Sequence, residues 1–407
     1  MTGAPGLDLA AAVRADFPLL ARAIDGRPLI YLDSAATSLR PALVAAALDE
    51  HYRTRAGNVH RGKHLLGQEV SGVYEEGRAR IAAFIGARSD EIVFVRNTTE
   101  ALNLVAHGLG LGGGDLVLVA ADSHHSNLLP WRAVARTAIV RVDGAGRLDL
   151  DHYRALLRER PRVVAITHCS NVTGLYAPVE ALVAAAQNVG ALVVLDAAQS
   201  APHRALRAAS LGVDFLAFSG HKMLGPTGIG VLYGRAERLA TLAPLMLGGG
   251  TVDWVTDTEL RLRRSPLRFE AGTPNIDGVV GLVAAVDYLE RLGLDAVERH
   301  EREMAAALVA GARELPALQV LGATAGVDRG GLLSLALPGR RDLSELARML
   351  CDSYGIVCRS GHLCAQPLVD QLTAGEVLRA STYLYTTRAD VAAFFAALRE
   401  LCALTAA

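Results

Sequence analysis

Lys222 is the residue whose type and surroundings most clearly indicate chemistry. The chain has 41 lysine and arginine residues, and only Lys222 and Lys63 among them are lysines. An arginine guanidinium stays protonated at any useful pH, whereas a lysine amine with a lowered pKa can form a Schiff base. Lys222 is therefore the candidate Schiff-base lysine. Lys63 is the competing amine, but it follows no predicted strand, and we expect it to have a surface role.

Polar clusters follow five predicted strands, at the point where each strand ends. They are Thr98–Glu100, Ser123–Asn127, His168–Thr173, Asp196–Gln199 and Ser219–Lys222. Ligands of open α/β sheets bind outside the carboxyl ends of the strands. The five clusters are therefore expected to meet at one edge of a sheet and to form a single site.

The residue types in these clusters suit pyridoxal phosphate, an aldehyde cofactor that a lysine can hold. Its pyridine nitrogen needs a facing carboxylate, and Asp196 at a strand end suits this role. We expect His124 to stack on the ring and Gln199 to donate to its phenolic oxygen. The phosphate needs hydroxyls and N–H groups at a helix N-terminus. The predicted phosphate ligands are Thr98, Thr99, Ser219 and His221.

Each of these residues also has a simpler structural interpretation. Asp196 and Thr98 are both placed where a side chain often caps the following helix. Two adjacent histidines, such as His124 and His125, commonly lie in a solvated loop. The joint pattern at successive strand ends, rather than any single residue, favours the cofactor site.

Short runs of Val, Ile and Leu alternate with helical patterns, which predicts an α/β fold with a doubly wound sheet. The last two predicted strands are too close for a helical crossover, so we expect an antiparallel connection and a mixed, mostly parallel, seven-stranded sheet. The predicted strands span residues 91–95, 115–120, 138–142, 162–167, 191–196, 214–218 and 228–233. The predicted helices span 41–55, 68–84, 100–109, 149–157, 179–189, 279–292, 296–313 and 343–354.

The pattern changes along the chain and predicts three parts. Residues 1–30 are expected to form an N-terminal arm, and residues 31–275 a large domain that binds the cofactor. Residues 248–274 at its end are predicted to be a loop. Residues 276–407 are expected to form a smaller α+β domain, because long helices there accompany only a few strands.

The composition and the cysteine pattern indicate which partners and which compartment to expect. Apolar residues make up 51% of the chain, and the formal net charge is -1. This balance provides no basic field, so neither nucleic acid nor a membrane is expected as a partner. Residues 1–12 lack a signal-peptide pattern, and an odd number of cysteines without metal-site spacing favours the reducing cytoplasm and no metal. The cysteines are Cys169, Cys351, Cys358, Cys364 and Cys402.

Taken together, the motifs resemble a known family. The chain is similar to the class V aminotransferase-like enzymes of fold type I, and most similar to the group II (SufS-type) cysteine desulfurases and selenocysteine lyases. The resemblance runs from YLDSAATS (31–38) to RASTYLYTT (379–387). The motifs between them are NTTEALNLVA (97–106), SHHSNLLPW (123–131), HCSNVTG (168–174), DAAQSAPH (196–203), FSGHKMLGPTGIGVLYG (218–234), RFEAGTPN (268–275) and RSGHLCAQPLV (359–369).

The resemblance implies a reaction and a role for each matching residue. Lys222 would hold pyridoxal phosphate and, with His124, move the Cα proton of L-cysteine. Cys364 would take the sulfur as a persulfide, leave L-alanine, and pass the sulfur to an acceptor protein for iron–sulfur cluster or other thio-cofactor assembly. Thr273 would reach the phosphate in the other subunit, which implies a homodimer with composite sites. The implied substrate-binding residues are Arg379, Asn171, Arg359, His60 and Arg61.

Four positions depart from the family pattern and leave the reaction open. They are Ser123, Leu363, Gln366 and Thr386. These positions lie near the expected substrate and sulfur path, so a selenocysteine lyase, a C–S lyase that releases sulfide, and another amino-acid enzyme of secondary metabolism such as an epimerase are the alternatives. A non-enzymatic assembly partner is disfavoured, because Lys222, Asp196 and Arg379 are all present.

Overall fold

A seven-stranded mixed sheet runs through the part of the chain that the computed structural model describes, residues 8–60 and 62–404. In spatial order its strands are Ile92–Val95, Gly230–Gly234, Phe215–Ser219, Leu192–Asp196, Val163–Thr167, Leu116–Ala120 and Arg136–Val140. Gly230–Gly234 is antiparallel to both of its neighbours, and the other pairs are parallel. The predicted mixed sheet and its antiparallel last strand are confirmed.

Both faces of this sheet are buried, which explains why its strands are continuous apolar runs in the sequence. Successive side chains of a strand point to opposite faces. Leu118 and Ile166 pack in one hydrophobic cluster, whereas Val117 and Ala165 pack in another on the opposite face. A sheet covered on both sides exposes only its edges, so a ligand can approach the strands at their carboxyl ends.

Helices cover the sheet and make up much of the rest of the described chain. The α-helices are Leu9–Val13, Ala42–Thr54, Leu65–Phe84, Thr98–Gly108, Leu129–Val134, Leu150–Leu157, Val179–Asn188, Ala208–Leu211, Ala236–Thr241, Ile276–Leu292, Leu294–Arg313, Ser344–Tyr354, Gln366–Leu372 and Arg388–Leu404. The 3-10 turns are Arg14–Asp16, Pro18–Ala21, Ser89–Glu91, His125–Asn127, Gly220–Lys222 and Leu267–Phe269. Within residues 8–60 and 62–404, no helix is long and apolar enough to cross a membrane.

A smaller antiparallel sheet forms near the C-terminus. Its strands, in spatial order, are Gln319–Val320, Leu332–Ala336, Val377–Ser381 and Arg359–Gly361. A hydrophobic cluster joins it to the helices Leu294–Arg313, Ser344–Tyr354 and Arg388–Leu404. This arrangement confirms the predicted smaller α+β part.

The N-terminal residues also join this C-terminal region. Ile30–Tyr31 pairs in parallel with Ile356–Val357, and Asp33 forms an isolated bridge with Ser381. Ile276–Leu292, in contrast, packs against the helices Ala42–Thr54 and Leu65–Phe84. The boundaries at residues 30 and 275 stay predictions.

The prediction that residues 248–274 are an irregular loop is wrong. Val252–Val255 and Leu260–Leu262 form an antiparallel hairpin within it, and the remaining strands are the short pair Ala23–Ile24 and Arg27–Pro28. The side chains of Trp254, Val255 and Leu260 are exposed. The hairpin strands are only four and three residues long, so the alternation in Leu260-Arg261-Leu262-Arg263 is at the lower limit of length at which alternation indicates a strand.

Candidate active site

One cavity of about 310 Å³ lies at the carboxyl edge of the large sheet, where the polar clusters were predicted to meet. Strand ends and the turns after them supply most of its lining. The predicted site residues that line it are Thr98, Thr99, His124, Asn171, Asp196, Gln199, Ser219, His221, Lys222, Arg359, Cys364 and Arg379. The structure therefore brings together residues that are up to 281 positions apart in the sequence.

Lys222 lies in the 3-10 turn Gly220–Lys222, directly after the strand Phe215–Ser219. Burial lowers the pKa of its amine to about 8, and the positive charges of Arg379 and Arg359 act in the same direction, whereas Asp196 opposes them. A burial-driven shift of this kind is how proteins obtain a nucleophilic lysine near neutral pH. The turn thus presents an amine with the reactivity that a Schiff base requires.

Asp196 ends the strand Leu192–Asp196 and is buried. One carboxyl oxygen accepts the Ala198 N–H at 3.0 Å, but the next helix begins only at Ala208, so Asp196 is not a helix cap. Burial raises the pKa of this carboxyl, while the Ala198 N–H and the charge of Lys222 oppose the shift. A carboxyl in such surroundings is best stabilised by a cationic N–H partner, as a protonated ring nitrogen would provide.

His124 is held by the turn that follows the strand Leu116–Ala120. Its Nδ1 accepts the Ser126 N–H at 3.1 Å and lies 3.0 Å from the Ser126 hydroxyl. Burial lowers the pKa of the ring to about 4, and the charge of Lys222 contributes. The ring is therefore neutral near pH 7 and, since Nδ1 accepts, its proton is on Nε2.

Hydroxyl groups gather at the start of the helix Thr98–Gly108. The Ser219 hydroxyl oxygen accepts the Thr98 N–H at 2.8 Å and lies 2.7 Å from Thr98 Oγ1. Thr99 Oγ1 is 2.7 Å from the Ser126 hydroxyl. The helix is capped by Asn97, whose side chain accepts the Glu100 N–H at 3.0 Å, so Thr98 is not the cap. Hydroxyls at a helix N-terminus suit a phosphate dianion.

Two buried polar atoms of the cavity have no partner within the described chain. They are Nε of Arg379 and Oδ1 of Asn171. The Gln199 amide nitrogen donates one of its hydrogens to the Ala35 carbonyl at 2.7 Å, which leaves its second hydrogen for another acceptor. The cavity thus holds the Lys222 amine, the Asp196 carboxyl, a cluster of hydroxyls and the unpaired N–H groups of Arg379 and Gln199. These groups fit pyridoxal phosphate with an amino-acid carboxylate beside it.

Arg379 and Arg359 approach the cavity from the C-terminal sheet. Arg379 is buried and donates to the Asn171 carbonyl at 2.9 Å and to Asp33 Oδ1 at 3.2 Å. Arg359 donates to the same carboxylate, at 2.9 Å from Nη2 and 3.1 Å from Nε. Two guanidinium groups are therefore held in place beside the cavity by one carboxylate.

Cys364 is exposed and lies on a loop with an unusual backbone. Leu363 and Cys364 have φ angles of 54° and 55°, a left-handed region that non-glycine residues rarely adopt. Asn171 donates to the Leu363 carbonyl at 2.8 Å, and the His125 N–H donates to the Cys364 carbonyl at 2.7 Å. Two hydrogen bonds thus hold the thiol at the mouth of the cavity.

The four departures from the family pattern have local structural partners. Leu363 is buried in an apolar cluster with Val172 and Leu368. Thr386 Oγ1 accepts the Tyr383 N–H at 3.1 Å, and the buried Ser123 hydroxyl lies 3.1 Å from Thr167 Oγ1. Gln366 is exposed. An imidazole in place of Leu363 would need a polar partner that this cluster does not offer.

His60 and Thr273 do not line this cavity. They line a second cavity of about 200 Å³, where Asn58 donates to Thr273 Oγ1 at 3.1 Å. The loop before Thr273 is fixed by Glu270, which forms a buried ion pair with Arg78 at 2.6 Å. In a single chain, therefore, His60 does not reach the Lys222 cavity, and its predicted lining role and that of Thr273 stay predictions. Arg61 lies outside the described residues.

Sequence reasoning assigned no role to Asp33 or Ser126. Asp33 joins the two arginines, and Ser126 holds both His124 and Thr99. Ser126 lies in the predicted polar cluster Ser123–Asn127, so its place in the sequence could have indicated a role in the site. Asp33 belongs to the motif at residues 31–38, but it precedes the first strand of the large sheet, and nothing in the pattern placed it near Arg359.

The chain matches a family model over most of its length. The model, described as aminotransferase class-V, matches residues 30–394. A probable cysteine desulfurase from Mycobacterium leprae is 46% identical over 399 residues, which cover 95% of this chain and 94% of the relative.

Two solved structures are similar in fold as well as in sequence. The apo structure of a cysteine desulfurase from Thermococcus onnurineus superposes with a TM-score of 0.91 at 40% identity, and covers 98% of this chain and 99% of its own. The cysteine desulfurase CsdA from Escherichia coli superposes with a TM-score of 0.87 at 35% identity, and covers 97% and 98% of the two chains.

Proposed function

The chain belongs to the aminotransferase class-V family, and we propose that it is a pyridoxal-phosphate-dependent cysteine desulfurase. It converts L-cysteine to L-alanine and keeps the sulfur as a persulfide on Cys364. The observation that carries this proposal is that an exposed thiol and a buried lysine with a lowered pKa, Cys364 and Lys222, line the same cavity. An enzyme that only moved protons would have no use for a thiol there.

Several residues would hold the cofactor. Asp196 would pair with the ring nitrogen, Gln199 would donate to the phenolic oxygen, and the hydroxyls of Thr98, Thr99 and Ser219, with His221, would hold the phosphate, since all of these residues line the cavity. When bound, pyridoxal phosphate supplies an electron sink for the bond changes at the substrate Cα. The neutral His124 ring lines the cavity and offers its Nε2 proton as a donor.

Lys222 and Arg379 prepare the substrate. Arg379 binds the substrate carboxylate through its fork of N–H groups, of which Nε has no partner in the described chain. Asn171 accepts a bond from the guanidinium through its backbone carbonyl and so fixes the fork. Lys222, whose amine is neutral above about pH 8, takes the Cα proton and returns a proton to Cβ.

Cys364 receives the sulfur. Its Sγ attacks the substrate sulfur, so that the Cβ–S bond breaks as the S–S bond forms. L-cysteine and the Cys364 thiol give L-alanine and the Cys364 persulfide, which conserves atoms and electrons. Because the backbone around Cys364 is held by Asn171 and His125, the thiol stays close to the substrate sulfur instead of exploring solvent.

The sulfur acceptor, the oligomeric state and the compartment are part of the same proposal. We infer that a sulfur-acceptor protein takes the persulfide for iron–sulfur cluster or other thio-cofactor assembly, and that the enzyme is of the group II type. A homodimer would let Thr273 and His60 complete the partner's site, since in one chain they line a separate cavity. The cytoplasm is the proposed compartment, which suits the free thiols Cys169, Cys351, Cys358 and Cys364.

A sulfur balance tests the proposed function. The cofactor-loaded protein is incubated with L-cysteine, and we expect alanine to accumulate with one sulfur recovered, as persulfide or as sulfide after reduction, for each alanine. Alanine from L-selenocysteine but not from L-cysteine would support the selenocysteine lyase instead. Alanine from neither substrate would contradict the proposal.

The lowered pKa of Lys222 predicts how cofactor loading depends on pH. Only the neutral amine attacks an aldehyde, so the loading rate of cofactor-free protein should rise about tenfold per pH unit and level off above pH about 8. The visible absorbance of the bound cofactor measures this rate. A midpoint near the ordinary lysine value of about 10.4 would contradict the assignment. The Lys63→Ala variant should give the same profile as the wild type.

A further inference from the structure

A cavity of about 450 Å³ lies between the helix Leu294–Arg313 and the irregular segment at residues 324–329. Among the described residues, it shares none of its lining with the cavity that contains Lys222. The helix contributes a single face, because its lining residues recur at helical spacing between Arg302 and Arg313. A concave site of this volume can hold a small organic molecule.

The helix face is apolar in its middle and basic at its two ends. The side chains in the middle are those of Ala305, Ala306, Val309 and Ala310. Arg302 and Arg313 lie at the ends, are both exposed, and are separated by about 16 Å along the helix axis. A ligand in this cavity therefore meets an apolar floor between two positive charges.

Arg329 supplies a third positive charge, and this one is buried. The residue lines the cavity and is only 7% exposed. Its Nη1 donates to the Leu332 carbonyl at 3.2 Å and its Nη2 to the Ala323 carbonyl at 2.6 Å, whereas Nε has no partner within the described chain. A guanidinium has five N–H hydrogens, so three of them are left for another acceptor.

The charge of Arg329 is not neutralised by the neighbouring acid. Arg204 donates to both carboxyl oxygens of Asp328, at 2.9 and 3.1 Å, so this carboxylate of the cavity lining is already paired. Burial lowers the pKa of Arg329 to about 10, and the group that opposes this shift is the thiol of Cys169. Arginine is rarely buried without an anionic partner, so an anion at this position would be stabilised.

The charges around the cavity favour an anion as well. The lining carries three guanidinium groups and one carboxylate, which leaves two positive charges. The neighbours Arg204 and Glu298, which pair with Asp328 and Arg302, cancel each other. The balance stays positive even if the buried carboxyl of Glu301, whose pKa is raised by burial to about 7, is counted as ionised.

We propose that this cavity binds a small organic acid, whose anionic group meets Arg329 and whose apolar body lies on the alanine and valine floor. The free N–H groups of the guanidinium fork suit a carboxylate or a phosphate. Arg302 and Arg313 attract the same anion from the ends of the helix face. This binding site goes beyond the proposed function and does not rest on it.

Photolabelling of the cofactor-loaded protein with para-benzoylbenzoate tests the proposal. This carboxylate carries an aromatic ketone that inserts into neighbouring C–H bonds on irradiation, so mass spectrometry of the labelled peptides locates the bound probe. We expect label within residues 302–313 or 323–329, and labelling that saturates with probe concentration. The neutral analogue para-benzoylbenzamide should need on the order of tenfold more probe for half-saturation, because it lacks the charge.

Three variants and one matched control test which groups hold the probe. Arg329→Met removes the buried charge and Ala310→Glu places a carboxylate on the floor, and each should raise the half-saturating concentration about tenfold or more. Arg313→Gln should raise it about threefold, as expected for an exposed charge. Arg299 is an exposed arginine of the same helix that does not line the cavity, so Arg299→Gln should leave the value unchanged.

Label in these two segments that weakens in the three variants but not in Arg299→Gln would support the proposal. Label confined to other peptides, or equal labelling by the amide, would overturn it. If Arg329→Met does not fold, Ala310→Glu and Arg313→Gln decide, and an unchanged value in both overturns the proposal.

Competition identifies the class of acid. Benzoate and phenyl phosphate should displace the probe, and the one effective at the lower concentration shows whether the site prefers a carboxylate or a phosphate. Failure of both to compete would contradict an anion site. Labelling requires no turnover, so a protein that makes no alanine from L-cysteine would contradict the proposed function and leave this result readable.

Discussion

Replacing Lys222 with alanine is expected to lower alanine formation from L-cysteine by about 10⁴-fold or more. The amine holds the cofactor and also moves the Cα proton, and both roles depend on the pKa that burial lowers to about 8. Cofactor binding through phosphate and ring contacts should persist, because Ser219, Thr98 and Asp196 are unchanged. The measurement is alanine production under saturating cofactor.

Two control variants sharpen this expectation. Lys222→Arg keeps a positive charge of similar reach, but a guanidinium cannot be deprotonated, so we expect it to be as inactive as Lys222→Ala. Lys63→Ala removes the one other lysine, which is exposed, and should keep wild-type activity. Activity that survives in Lys222→Arg, or that is lost in Lys63→Ala, would show that the reactive amine has been misassigned.

Replacing Cys364 with serine is expected to lower alanine formation by about 10²-fold or more and to remove the persulfide completely. A hydroxyl is a far weaker nucleophile toward sulfur than a thiolate, and among the residues that the structure describes no other exposed thiol lines the cavity. The absorbance of the bound cofactor should be unchanged, because the residues proposed to contact the cofactor are all retained. Parallel assays of alanine and of persulfide sulfur measure the effect.

Cys358 provides the matched control for Cys364. It is six residues away in the sequence, but burial raises the pKa of its thiol to about 12 and it packs against the C-terminal core. Cys358→Ala should therefore retain both alanine formation and the persulfide. If Cys364→Ser still made alanine at the wild-type rate and released free sulfide, the C–S lyase alternative would be favoured.

The sheet and much of its site were predictable from the sequence. Strands such as Val163–Thr167 are buried on both faces, so they appear as uninterrupted apolar runs, and polar residues directly after them can only lie at the edge of the sheet. Asp196 and Lys222 were placed correctly for this reason. The helix ends differed by at most three residues, because cap positions such as Asn97 are decided by local hydrogen bonds.

The contacts between distant segments were not predictable. Asp33 meets Arg359 and Arg379 only because residues 30–33 pair with the C-terminal strands. No periodicity in a single sequence specifies which short strands pair across more than 300 positions. The hairpin from Val252 to Leu262 was missed because its strands, of four and three residues, are too short for periodicity to predict them.

The central claim is that sulfur passes from L-cysteine to Cys364 in the cavity that Lys222 serves. The most direct test is mass spectrometry of the Cys364 peptide after one turnover of the cofactor-loaded protein with heavy-sulfur-labelled L-cysteine. We predict one labelled sulfur on Cys364 for each alanine formed. Alanine without label on Cys364, or label on another cysteine, would contradict the claim.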